Sequence, residues 1–595
     1  MQHESEYSWV RDLPWVIFFG ILSSAYCLLA ARHTGAAFDE PIYLLQGLES
    51  WHLGGNGALT KIGTMPLPVD VTTLPLYVWE LLRGQRFDQL SEFGRMLPVA
   101  RAATLVFWWA VLFYGWRVGW GLAGRWGGRL AVALLACEPS LLAHASLATT
   151  DVAITACMLA LVYHFREGRT SGWWLRVGLP SLLFGLALLA KASALVLGPL
   201  CLIVVELDRL GREQASAVPA NGGVVQFFRR LIAQLGPFRR DIKQIFGLGF
   251  LLMLVYCGSD WRPEPSFVAW ARTLPHGPMA SVMVYVADHL RIFSNGAEAI
   301  VYQIKHNNVG QGVFIAGRTD PRALWYYFPA AMTMKLTASL LALPLLVAVV
   351  RPKALWNWVT LITAVLILFS VTFRVQLGIR LVLPLIGFFI VGAAGAAANM
   401  IAAMQSGWRR HLAAGAVAGC VFWTAAASLI VWPNAICYVN ELWGGTTEDY
   451  KLLSDSNYDW GQGIGDLRDW QQRNGVENLD VWYFGTDPDR FKGPFHLVSM
   501  TDGGFQGPDD FIARFRGRYL AVGTTYLYGG YIIENPKKGH PLEKSALIAI
   551  RYLRTIQPVD RTTTFLIYDF TGEHQVESGS SPGLPEKRDS GPTLP

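Results

Sequence analysis

The sequence predicts a polytopic α-helical membrane protein of about eleven transmembrane helices, with a small α/β domain at its C-terminal end. Three observations predict it. Hydrophobic side chains make up 52% of the 595 residues and charged ones only 16%, against about 45–50% and about 25% in soluble domains. Mean hydropathy is +0.30, and the 23 tryptophans suit a chain with two membrane interfaces. Apolar runs recur up to residue 432, and the polar region beyond contains no further one.

Runs of roughly 17–25 apolar residues, shorter inside a bundle, place spans at 13–31, 99–118, 128–147, 150–165, 177–190, 192–207, 244–258, 323–350, 355–373, 379–398 and 411–432. The first lacks a basic leader and a cleavage signal, so it reads as a retained span. Orientation follows the Lys/Arg bias of short loops. Arg117, Arg125 and Arg129, then Arg166, Arg169 and Arg176, then Arg229, Arg230, Arg239, Arg240 and Lys243, and finally Arg351, Lys353, Arg409 and Arg410 all fall inside if the N-terminus is cytoplasmic. The chain then divides into a transmembrane domain over 1–432, an extracytoplasmic α/β domain over 433–572 and a disordered tail over 573–595. Long outer loops cover 32–98 and 259–322. Strand character at 479–486, 518–524 and 563–569 and helical character at 462–474 and 541–554 define the outer domain. The tail is rich in Ser, Gly, Pro and Glu.

The net charge of +6 is accounted for by this topology, so nucleic acid is not expected as a partner. The seven cysteines show no C-x-x-C and no Cys/His ligand spacing, which argues against zinc or redox chemistry. Only Cys257 and Cys437 fall near the outer face, where a disulfide is conceivable. No internal repeat appears, in contrast to two-fold pseudosymmetric transporters.

Charges at the membrane margin default to functional candidates. Asp39 and Glu40 follow the first span, and Asp151 opens the fourth, facing the same side. Asp151 also suits a helix N-cap. His144, before it, is a pocket candidate only. Four cations break the topology bias: Lys191 between two apolar runs, Lys335 about twelve residues (roughly 18 Å) into the eighth span, and Arg374 and Arg380 around the outer turn after the ninth. Snorkelling would explain the two arginines and an internal ion pair the lysine. Alternatively, these cations hold an anionic head group such as a lipid phosphate. Carboxylates opposite cations in an outward-facing cavity suit transfer of a sugar from a lipid phosphate. Cations stabilise the leaving phosphate, and a carboxylate deprotonates the incoming hydroxyl. The same parts could bind and move an anionic solute.

Several motifs carry a resemblance. They are Phe38-Asp39-Glu40, the stretch Ala143 to Asp151, Gly185 to Lys191, Trp325-Tyr326-Tyr327-Phe328-Pro329 with Lys335, and Gly378-Ile379-Arg380 with Leu383-Pro384. Most specific is Asp455-Ser456-Asn457-Tyr458-Asp459-Trp460-Gly461-Gln462, between Tyr438-Val439-Asn440-Glu441 and Tyr483-Phe484-Gly485-Thr486. Over roughly 13–570 the chain resembles bacterial members of the protein O-mannosyltransferase family, glycosyltransferase family 39 of the GT-C superfamily. The resemblance implies a GT-C fold in a bacterial inner membrane. It also implies a polyprenyl-phosphate sugar donor and an acceptor that is protein, glycan or lipid. Asp39 would be the catalytic base supported by Glu40, Asp151 the second acid, and Lys191 and Arg380 the groups facing the donor phosphate. No metal or other cofactor is implied. Two departures stand out: Thr64-Met65-Pro66-Leu67 in place of a His-Pro-Pro-Leu-like stretch, and Arg380-Leu381 in place of an Arg-His pair. The Asp455–Gln462 stretch also fits a turn that positions the outer domain over the cavity. An aminoarabinose-type transferase acting on a lipid, an anionic-solute transporter and a non-catalytic scaffold are the alternatives.

Overall fold

The computed structural model describes residues 8–217, 224–259, 261–263, 265–289, 291, 294–500, 503–529 and 543–572. The expected tail over 573–595 and the Arg229 and Arg230 side chains lie outside what is described. Helices dominate as far as Trp408–Ile430, and a five-stranded sheet follows. Among the described residues, four helices are long and apolar enough to cross a membrane by length and composition: Val10–His33, Phe93–Cys137, Ile379–Ala402 and Trp408–Ile430. A fifth span results if a bent pair counts as one, and Trp174–Ala190 and Trp358–Ser370 are shorter apolar helices. The protein is therefore an integral membrane protein with a helical bundle and a small C-terminal α/β domain.

The expected span 99–118 and the first part of 128–147 form a helical hairpin within Phe93–Cys137, reversing at Ala123 and Gly124, where Gly124 has φ of +61°. The expected span 128–147 is not continuous, because it breaks at Glu138 and resumes as the short helix Pro139–Ala145. The two arms cross at glycine. A Cβ on Gly127 would lie 2.4 Å from the Gly119 carbonyl oxygen, so only glycine permits the approach. The expected eighth span is not one helix. Tyr327–Lys335 and Ala338–Val350 meet at 104°, and Thr337 caps the second by accepting from the Leu340 N–H. Lys335 therefore ends a short helix instead of sitting within a continuous span. The Ile379–Ala402 helix is enclosed by the bundle: 89% of its apolar window is buried, against 28% for Trp408–Ile430.

The Leu13–His33 helix fixes the scale. Its 21 residues extend roughly 31 Å at 1.5 Å each, close to the hydrocarbon thickness of a bilayer. At its start, buried Asp12 accepts from Arg125 and Arg129; just past its other end stands Asp39.

A hairpin pairs β1 (Val313–Ile315) with β2 (Arg318–Asp320). The C-terminal sheet comprises β3 (Leu479–Trp482), β4 (Phe495–Leu497), β5 (Tyr519–Gly523), β6 (Asp560–Arg561) and β7 (Phe565–Asp569), in the order β4-β3-β5-β7-β6. The β3 strand runs parallel to both β4 and β5, whereas β7 is antiparallel to β5 and β6. Both faces are covered, so the central strands read as continuous apolar runs. Ile464, Leu467 and Trp470 pack on Leu479, Val481 and Ile567 on one side. Phe511, Ile550 and Leu553 join the cluster containing Leu520, Val522 and Leu566 on the other. All seven cysteines are free thiols, Cys257 and Cys437 included.

Candidate active site

Asp39 occupies the N-cap position of the Glu40–Leu53 helix, yet its side chain caps nothing. It accepts instead from Arg380, Nη1 to Oδ2 at 2.9 Å. Arg380 lies in the short 3₁₀ turn Ile379–Val382 that leads into the enclosed helix. The same Nη1 is 3.9 Å from Oδ2 of Asp151. Asp151 begins the Asp151–Gly168 helix and is fully buried. Its Oδ1 accepts from Lys191 Nζ, while Oδ2 has no hydrogen-bond partner. The expected N-cap role is not observed, since Thr150 holds that position; the helix N-terminus nonetheless favours a carboxylate in its first turn. Lys191 sits where the chain leaves the Leu179–Ala190 helix in extended conformation, before helix resumes at Ala194. The four side chains thus alternate in charge: Asp39, Arg380, Asp151, Lys191.

Asp39, Lys191 and Arg380 form the charged part of a cavity of about 450 Å³. Tyr43 and Thr64 add hydroxyls, and the Ser294–Val309 helix adds Gln303, His306 and Asn307. The remaining wall is apolar, with Leu195, Val196, Phe369 and Phe373. A charged floor beneath an aromatic and aliphatic wall suits an amphiphile with an anionic head.

The C-terminal domain holds this floor in place. Arg380 Nε donates to Ser456 Oγ at 3.1 Å, and the guanidinium lies 4.2 Å over the Trp460 ring. Ser456 Oγ donates in turn to the Leu377 carbonyl, and Asn457 Oδ1 accepts from the Ile379 N–H. A Cβ on Gly378 would meet Ser456 Oγ at 2.2 Å, so the approach requires glycine. The loop carrying Asp39 is pinned by backbone bonds: Gly35 N–H to Gln462 O, and Phe38 N–H to Trp460 O at 2.8 Å. Asp487 accepts from the Ala36 N–H, and Thr486 donates to the Phe38 carbonyl. Burial pushes the Asp487 carboxyl upward and that of Asp459 up to about 6, though the latter accepts from the Thr525 and Gly461 N–H groups.

The other expected site residues lie elsewhere. Glu40 is fully buried and faces Arg101, whose Nε and Nη2 donate to it at 2.8 and 2.6 Å. Glu40 also accepts from the Ala37 and Ala148 N–H groups, while Arg101 donates to the carbonyls of Ala31, Thr34 and Gly35. The pair braces the loop beneath Asp39 and does not line the cavity. Lys335 is buried with no carboxylate partner; its Nζ donates to the carbonyls of Ile436, Tyr438 and Asn457 at 2.6–2.8 Å. The internal ion pair and the phosphate contact expected there are both replaced by a tie between the bundle and the C-terminal region. Arg374 donates to the Asn308 carbonyl and lies off the cavity wall. His144 is buried edge-on to Trp460, with Nδ1 unpartnered, and likewise lines no part of the cavity. Among the described residues, no group of three or more His, Cys, Asp or Glu side chains is arranged to hold a metal ion.

Solved structures similar to this chain include ArnT from Cupriavidus metallidurans bound to undecaprenyl phosphate. That match has 14% identity and a TM-score of 0.43, covering 93% of this chain and 97% of that one. The same protein in the apo state matches with 14% identity and a TM-score of 0.26, over 94% and 98%. No protein-family model and no curated protein matches the chain. The protein O-mannosyltransferase assignment thus finds no support in these comparisons.

Sequence reasoning missed Arg101, Ser456 and Trp460. Arg101 was legible in principle, as a charge inside the apolar run 99–118. Ser456 and Trp460 lay within a motif already singled out, but their contact with Arg380 is visible only in three dimensions.

Proposed function

We propose that the protein is an inverting, membrane-embedded sugar transferase of the GT-C type. It moves a hexose, mannose or a close relative, from a polyprenyl phosphate to an acceptor hydroxyl at the outer membrane face. The observation that carries this reading is the alternating chain Asp39–Arg380–Asp151–Lys191, in which Asp39, Arg380 and Lys191 line an amphiphilic cavity and buried Asp151 pairs with the two cations. The apolar wall accommodates the prenyl chain near the head group, and Arg380 and Lys191 receive the phosphate. The phosphate competes with Asp39 for the guanidinium and so frees the carboxylate. The acceptor oxygen then attacks C1 of the sugar and its proton passes to Asp39. The C1–O bond to phosphate breaks with both electrons leaving on the phosphate, where the cations stabilise the charge. One displacement inverts the anomeric centre and needs no covalent enzyme intermediate. Asp151 keeps Lys191 and Arg380 positioned, and Glu40 acts only through the loop it braces.

The test is transfer of radiolabelled sugar from polyprenyl-phosphate mannose to a membrane extract, wild type beside Asp39→Asn. Undecaprenyl phosphate, the ligand named for the ArnT structure, serves as binding probe. Transfer is expected from the wild type alone, with the probe bound by both. The labelled product identifies a protein, glycan or lipid acceptor. Wild-type transfer by Asp39→Asn refutes the reading.

A further inference from the structure

A second cavity, of about 570 Å³, opens on the outer domain and shares no lining residue with the charged one. Its walls come from the β1–β2 hairpin, the 447–451 segment and the 554–568 segment that leads into and through β7. Three tyrosines meet there, Tyr450, Tyr528 and Tyr568, with Tyr450 and Tyr528 rings 5.1 Å apart. Tyr450 and Tyr568 are only 6% and 2% exposed, yet among the described residues none bonds to any of the three hydroxyls. A buried tyrosine normally finds a partner for its O–H. Here the hydroxyls reach the cavity instead.

Among the described residues, three cations, Lys451, Arg554 and Arg561, join them against a single carboxylate, Glu448. Lys451 pairs with Glu448 at 2.7 Å and lies over the Tyr450 ring. Arg554 donates to the Leu527 carbonyl and lies over the Tyr528 ring. Arg561 donates to the Thr447 carbonyl. Both guanidinium groups are thus held in place before any ligand arrives, which lowers the entropic cost of binding. Aromatic plates, hydroxyl donors and a surplus of positive charge match one ligand chemistry. A pyranose ring stacks on tyrosine, its oxygens accept from the O–H groups, and an attached anion meets the arginines.

We propose that this cavity is a second binding site, for a saccharide that carries a phosphate group. The ligand is either a free sugar phosphate or the phosphorylated head of a glycolipid, and the site stands whether or not the sugar-transferase reading does.

The experiment is calorimetric titration of the full-length protein in detergent with glucose 1-phosphate, inorganic phosphate and methyl glucoside. The decisive variant is Tyr450→Phe with Tyr568→Phe, which deletes two hydroxyls that bond to no described residue and so preserves the fold. A thermal unfolding curve matching the wild type verifies this. Glucose 1-phosphate is expected to bind at least about ten-fold more tightly than either half-ligand, and the double variant to lose about ten-fold. Arg561→Gln lowers affinity for the phosphate-bearing probe alone. Vesicles carrying a phosphorylated glycolipid that displace the probe assign the lipid-borne source; failure to displace it assigns the free sugar phosphate. No binding, equal binding of inorganic phosphate, or unaltered affinity in the double tyrosine variant overturns the proposal.

Discussion

Glu40→Gln is the most discriminating single change in this protein, because it separates two adjacent carboxylates. In the native structure the Glu40 carboxylate accepts four hydrogen bonds, two from Arg101 and two from backbone N–H groups, and both side chains of the ion pair are fully buried. Gln keeps the shape but removes the negative charge and turns an N–H group toward donors. Arg101 is then left as a buried, uncompensated cation, a situation that costs about 3–5 kcal/mol. Against a total stability of about 5–15 kcal/mol, that is a large share. The assay is thermal unfolding of the purified protein beside the transfer assay. Glu40→Gln is expected to unfold at markedly lower temperature and to lose activity as a consequence of misfolding. Asp39→Asn is expected to unfold with the wild type and to lose activity regardless. Glu40→Met combined with Arg101→Met removes the stranded charge but leaves the Ala37 and Ala148 N–H groups and the Ala31, Thr34 and Gly35 carbonyls without these partners, so it recovers only part of the lost stability. A Glu40→Gln protein with wild-type unfolding and wild-type transfer refutes the brace.

Three further outcomes follow from the geometry. Arg380→Ala removes the group placed to meet the donor phosphate, worth about 2 kcal/mol or more for a buried charge-assisted contact, and so weakens undecaprenyl phosphate binding about thirty-fold; an unchanged affinity returns Arg380 to a structural role. Lys335→Met strips donors from three buried carbonyls, at about 1–3 kcal/mol each, and is read by limited proteolysis: cleavage of the C-terminal domain should accelerate, and identical rates would contradict the tie. Asp459, held up to about 6 by burial, binds protons in the folded state that the unfolded chain has already released. Its contribution is therefore most favourable below about pH 4, declines as pH rises to about 6 and is constant above. Asp459→Asn flattens the stability-versus-pH curve within that window by up to one proton, and an unaltered slope there counts against the assignment.

Charge placement was the legible part of the site. Asp39, Asp151, Lys191 and Arg380 could be picked out because each sits where membrane partitioning disfavours it, and the structure brings all four together. Their pairing was not legible. Asp39 and Arg380 are 341 residues apart, and nothing local links them. Lys335 and Arg374 met the same criterion and yet lie elsewhere, because an expensive buried charge is satisfied as well by backbone carbonyls as by a ligand. Glu40 was misplaced for a simpler reason. At a helix start, successive side chains diverge by about 100°, so neighbours in sequence point to different surroundings: one to the cavity, the other to the core.

The apolar runs by themselves determined that the chain is a helical membrane protein, because hydrophobic burial is set by composition along the chain. Alternating turn signals and short apolar stretches likewise determined that the C-terminal region holds strands and helices. Only the tertiary structure decided that residues 327–350 bend sharply and that Arg101 braces Glu40. It alone showed that Ser456 and Trp460, from the C-terminal part of the chain, set the position of Arg380 in the bundle. Hydrogen bonds and ion pairs act over about 3 Å between groups hundreds of residues apart, so their partners exist only once the fold has brought them together.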